Sequence, residues 1–107
     1  MAKKIIDREI IDIAKKCAKE VCKNYKIEAI ILFGSYAKGT YHVDSDIDIA
    51  VITDDFTNNK FDEEVNLRML RWGIDLRIEP HLMTNEDYQN ITAPYIKDVI
   101  DNGIKIA

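Results

Sequence analysis

The chain has 107 residues, 47% of them apolar and 32% charged, with a formal net charge of −4. This length fits one domain spanning 1–107 with a modest core, and this composition excludes a disordered chain. The acidic balance gives no basis for strong binding to bare nucleic acid, which needs a clustered positive surface.

From Ile5 to Tyr25, apolar residues recur at three- and four-residue steps (Ile6, Ile10, Ile13, Ala14, Cys17, Ala18, Val21), which predicts an amphipathic helix. Asp7, Arg8 and Glu9 follow Met1–Ile6 too soon for a signal-peptide core. No apolar run approaches the roughly 20 residues that span a bilayer, so a cytoplasmic protein without membrane contact is expected. Cys17 and Cys22, five positions apart on this helix, diverge by about 140°. An internal disulfide is therefore not expected, and both read as small buried apolar residues.

Glu28–Phe33 reads Glu-Ala-Ile-Ile-Leu-Phe, a run that is apolar after Glu28 and is ended by Gly34, the pattern of a buried strand. Gly34–Thr40 reads as a turn or the opening of a short helix, and Asp44 and Ser45 as turn formers. Ser45–Thr53 alternates and then turns apolar, a second strand. Asp54–Lys60 reads as a polar loop, and Phe61–Trp72 as a helix ended by Gly73, with Met69 and Trp72 as core or interface residues. Ile74–Met83 alternates again, a third strand that Pro80 assigns to an edge or a strand end. A last helix is expected from the Thr84 cap to about Asn102, with Pro94 as a kink or as its true first turn, and Gly103 closing it.

Chemistry concentrates at two places. Gly34 and Ser35 follow the first strand, and glycine lets backbone N–H groups approach a phosphate while the serine hydroxyl adds a donor. After ten intervening residues come Asp46 and Asp48, which strand alternation places on one face while Ile47 and Ile49 point inward. Two unit charges about 4 Å apart at an effective dielectric near 20 repel by roughly 4 kcal/mol. A shared proton or a bound cation relieves such a pair. An all-oxygen donor set favours a hard cation such as Mg²⁺, which takes one or two carboxylates and substrate phosphates.

Gly34-Ser35, ten residues, then Asp46-x-Asp48 resembles the signature of the DNA polymerase β-like nucleotidyltransferase superfamily. The surrounding Leu32-Phe33-Gly34-Ser35-Tyr36-Ala37-Lys38-Gly39 and Ser45-Asp46-Ile47-Asp48-Ile49-Ala50-Val51 resemble its minimal nucleotidyltransferases, over nearly the whole chain. The resemblance implies an α+β palm: a small mixed sheet with helices packed mainly on one face. It implies a third carboxylate from a later strand, which Asp75 matches best, with Glu79 as its competitor and Arg77 between them. Asp46, Asp48 and Asp75 would then hold two Mg²⁺ ions, and Gly34, Ser35 and Lys38 the phosphates of ATP or another NTP.

The implied reaction is transfer of a nucleoside monophosphate to a hydroxyl, with release of pyrophosphate. In paired systems of this family the acceptor is a tyrosine of a HEPN-domain toxin, which makes the nucleotidyltransferase an antitoxin. Two alternatives stand beside it: a non-catalytic module that neutralises a HEPN partner by binding, and the catalytic subunit of a two-chain nucleotidyltransferase. His42 and His81 are lone histidines that the sequence assigns no direct catalytic role.

Overall fold

The computed structural model describes residues 7–107, so Ile5 and Ile6 of the expected first helix lie outside the described residues. The elements run α1 (Arg8–Asn24), β1 (Ala29–Phe33), α2 (Ser35–Lys38), β2 (Ile47–Ile52), α3 (Lys60–Arg68), a 3₁₀ turn (Met69–Trp72), β3 (Ile78–Met83), α4 (Asn85–Asn90), α5 (Pro94–Asn102) and β4 (Ile104–Lys105). Asp7 caps α1 by accepting from the Glu9 N–H at 2.9 Å, a contact of a kind that contributes about 1 kcal/mol.

The strands form one mixed sheet in the order β3-β2-β1-β4. β1 is antiparallel to β2 and β4, and β2 is parallel to β3. A parallel pair needs a crossover, and α3 with its 3₁₀ extension supplies it. Alternation along the strands feeds two cores. Ile30, Leu32, Ile47, Ile49, Val51, Ile78 and Leu82 join the larger one with the apolar stripe of α1, Tyr36 and Ala37 of α2, and Leu67 of α3. Ile31, Phe33, Ala50, Ile52 and Met83 join a smaller one closed by Ile96 and Val99 of α5. This is the expected mixed sheet with helices mainly on one face, and α5 covers the other.

Several expectations are corrected. The third strand begins at Ile78 rather than Ile74, because Asp75 folds the chain into a turn: its carboxylate accepts the Arg77 N–H at 2.9 Å and its carbonyl accepts the Ile78 N–H at 3.2 Å. The single C-terminal helix is two. α4 starts on a capping box between Thr84 and Asp87 and stops at Ile91, whose φ is 49°; α5 restarts with Pro94 in its first turn. Beyond it, β4 was not foreseen. It reaches β1 because Gly103 has no side chain; a Cβ there would lie 2.2 Å from the Val99 carbonyl oxygen and 2.4 Å from Ile31 Cγ2.

The helix over 61–72 tightens into a 3₁₀ turn after Arg68. Met69 and Trp72 are not core residues but stand 61% and 72% exposed, and Phe61 is 73% exposed. On the outer edge of β3, Glu64 accepts the Leu82 N–H at 3.0 Å, and Arg71 donates to the Ile78 carbonyl through Nε at 3.2 Å and Nη2 at 2.9 Å. Pro80, between them, has no N–H to offer. No helix among the described residues is long and apolar enough to cross a membrane.

Both cysteines are free, Cys17 buried and Cys22 exposed, so the expectation of two buried thiols holds for the first alone. Burial pushes the Cys17 thiol up to about 11, which suppresses the reactive thiolate. In a thiol-titration assay at neutral pH, the native protein is expected to react at one cysteine, with the second appearing only in denaturant. Cys22→Ser should abolish the native reaction.

Candidate active site

β1 ends at Phe33, and the chain leaves it through Gly34 at φ 77° and ψ −155°. Only glycine adopts that backbone at no steric cost. Ser35 then opens α2, whose first backbone N–H groups have no carbonyl partner within the helix. Lys38 closes the turn through its N–H to the Gly34 carbonyl at 3.1 Å, and Gly39 ends the helix at φ 78°. A Cβ on Gly34 would lie 2.3 Å from Asp48 Oδ2. The Asp48 carboxylate therefore occupies the space beside the Gly34-Ser35 turn that any other residue would fill.

The approach to β2 is set by Ser45, which accepts the His42 N–H on its hydroxyl and donates its own N–H to the His42 carbonyl, both at 2.9 Å. Asp46 lies one residue before β2 and is exposed, while Asp48 is half-buried between the buried Ile47 and Ile49. In the sheet register Asp48 stands opposite Phe33 on β1 and opposite Glu79 on β3. One middle strand thus carries a carboxylate flanked by the glycine turn on one side and a second carboxylate position on the other.

The remaining candidates are placed differently. Asp75 is not on β3. It holds Arg77 through Nε–Oδ1 at 3.0 Å and Nη2–Oδ2 at 2.9 Å. The Arg77 hydrogen bonds, working against partial burial, keep the Asp75 carboxyl below its ordinary range and raise the Arg77 guanidinium. Arg77 also donates to the Tyr36 hydroxyl at 3.2 Å, and Tyr36 stacks on Tyr41 with centroids 4.6 Å apart. Asp75 thereby reaches α2 through Arg77 and Tyr36. Glu79 accepts from Arg71 at 2.8 Å and pairs with Arg68 at 3.5 Å. Lys38 pairs with Asp98 of α5 at 3.6 Å.

Among the described residues no three acidic, histidine or cysteine side chains converge on a ready-made cation cage. Gly34, Ser35 and Asp48 come together; Asp46 stands exposed two residues before Asp48, and Asp75 and Lys38 are engaged elsewhere. Sequence reasoning missed His81, whose Nε2 lies 3.1 Å from Asp48 Oδ1. Its signal was its period-two spacing from Glu79 on β3.

The profile of the family described as "Nucleotidyltransferase domain" matches residues 14–106. The chain belongs to this family. This nucleotidyltransferase domain is 35% identical over 97 residues to MJ1379 of Methanocaldococcus jannaschii, named as a protein adenylyltransferase, with 90% of this chain and 92% of that one covered. A shorter stretch of 34 residues is 56% identical to the protein adenylyltransferase MntA of Shewanella oneidensis, covering 32% of this chain and 24% of that one. Its fold is similar to that in a crystal structure of a toxin–antitoxin with AMP-PNP, with a TM-score of 0.60, 26% identity, and 87% of this chain and 72% of that one covered.

Two variants test this geometry. Gly34→Ala is expected to lower the denaturation midpoint by an amount equivalent to about 1–3 kcal/mol, since both its backbone and Asp48 must move. For Asp75, whose folded pKa is depressed, the Arg77 clamp stabilises fully above the unfolded carboxylate value near 4 and is lost as pH falls through the folded value. Wild-type and Asp75→Asn unfolding free energies, separated at pH 7, should therefore converge in acid.

Proposed function

We propose that this domain transfers AMP from ATP to a protein hydroxyl, a tyrosine of a HEPN-domain toxin partner, and so acts as an antitoxin. The observation that carries the reading is the seat of Asp48 against the Gly34-Ser35 turn, with Glu79 across the sheet from it. A turn that presents backbone N–H groups and a hydroxyl suits the outer phosphates of an NTP. Carboxylates beside it suit the divalent cation that travels with them.

The donor set fits Mg²⁺: every candidate ligand is a carboxylate oxygen, and Gly34 places no side chain of its own against Oδ2 of Asp48. Asp46 and Asp48 would hold the Mg²⁺ ions, which would supply charge neutralisation at the reacting phosphate. We assign the third carboxylate to Glu79 rather than Asp75, because Glu79 is the register partner of Asp48 on β3 while Asp75 sits in the turn before that strand. Ser35 and the α2 N–H groups orient the phosphates. The acceptor oxygen attacks the α-phosphorus, the bond to the bridging oxygen breaks, pyrophosphate departs and the hydroxyl proton is released.

A protein acceptor agrees with the exposed large apolar side chains Phe61, Met69 and Trp72 of α3 and its 3₁₀ extension, since exposed apolar surface marks sites that partners cover. It agrees also with the adenylyltransferase and toxin–antitoxin names of the similar proteins.

The test is incubation with α-labelled ATP and Mg²⁺, with the protein encoded beside this one. Label on that partner, lost in Asp46→Asn and Asp48→Asn, is the expected result. Glu79→Gln should fall by more than the roughly 10–100-fold that follows loss of a metal ligand's supporting partner, and Asp75→Asn by less. Intact partner binding and neutralisation with no label under any metal would replace this reading with the binding-module alternative.

A further inference from the structure

His81 lies on β3 two residues beyond Glu79, and its Cα partner on β2 is Ala50. From there its ring reaches diagonally to Asp48, with Nε2 at 3.1 Å from Oδ1. An ionised carboxylate only accepts hydrogen bonds, so Nε2 is the protonated nitrogen in this contact. The ring itself is held on two sides. Phe33 meets it edge-on with centroids 5.0 Å apart, and Tyr95 of α5 lies tilted at 5.2 Å. Phe33 and Tyr95 stack on each other at 6.1 Å, which closes the aromatic bracket.

The two oxygens of Asp48 are therefore divided. Oδ1 faces His81, and Oδ2 faces the space at Gly34, where a Cβ would come within 2.3 Å. A carboxylate with one oxygen tied down presents the other in a fixed direction, and groups that orient metal ligands in this way typically contribute 10–100-fold to metal affinity. We propose that His81 is a positioning residue: by donating from Nε2 to Oδ1, within the Phe33–Tyr95 bracket, it aims Oδ2 of Asp48 at the divalent cation beside the Gly34-Ser35 turn. This inference rests on the proposed metal-dependent reading of the site and adds a residue to it.

The experiment is titration of Mn²⁺ into the full chain, with and without α,β-methylene ATP, followed by electron paramagnetic resonance. His81→Phe keeps an aromatic ring and removes the donor; it should weaken Mn²⁺ binding by about 10–100-fold. His81→Gln, whose amide N–H₂ can reach Oδ1, should recover most of the affinity. Tyr95→Leu opens the bracket without touching the donor and should give a smaller loss, and it serves in place of His81→Phe if that variant does not fold. Thermal unfolding midpoints that do not follow this ranking separate positioning from a merely structural role. Wild-type affinity in His81→Phe, or His81→Gln no better than His81→Phe, would overturn the inference alone. Absence of Mn²⁺ binding to the wild-type chain would overturn it together with the metal-dependent reading of the site.

Discussion

The close approach of Asp48 to Gly34 is the constraint on which the site depends. A carboxylate on the middle of a sheet normally faces neighbouring side chains. Here β1 ends at Phe33, opposite Asp48, and the next residue, Gly34, adds no side chain on the Oδ2 side. The same glycine takes a backbone conformation closed to other residues and starts the helix that bears Ser35. One position thus sets the turn, the space for a carboxylate and the direction of the first N–H groups of α2. The paired β1 and β2 carry this arrangement as a rigid unit, since both contribute residues to the two cores.

Around that centre, acids and guanidiniums are sorted by partner. Asp75 and Arg77 form a closed pair two residues apart, extended to Tyr36. Glu79 is shared by Arg71, which is also bound to the Ile78 carbonyl, and by Arg68, which approaches at 3.5 Å. Partly exposed pairs of this kind contribute little to stability singly; their larger effect is on where each charge points. Arg77 holds Asp75 in the turn before β3, while strand alternation puts Glu79 on the face that Asp48 and His81 share, where Arg71 pairs with it.

Much of this was legible in the sequence. The apolar run before Gly34 and the alternation after Asp46 specify two buried strands, and their pairing brings the Gly-Ser turn to Asp48. The α1 stripe was equally plain because all six of its buried residues fall on one helical face. Periodicity failed where a side chain outcompeted the ladder. Ile74, Leu76 and Ile78 alternate like a strand, yet the Asp75 carboxylate captures a backbone N–H and makes a turn. That shift removes Asp75 from the strand and leaves Glu79 as the acid in register. Pro94 announced the break between α4 and α5 but not its start, because nothing local marks Ile91 for a left-handed conformation. His81 was passed over because a histidine shows its partner only across strands.

The covered edge of β3 bears on how another protein can approach. Many recognition events work by adding a strand to an open sheet margin, where main-chain groups supply the affinity. That route is obstructed on this side: Arg71 already occupies the Ile78 carbonyl and Glu64 the Leu82 N–H, and Pro80 leaves a gap in the donor row. A partner arriving here must engage by side-chain packing over the neighbouring helix, so its selectivity would be written in shape and apolar contact rather than in backbone pairing.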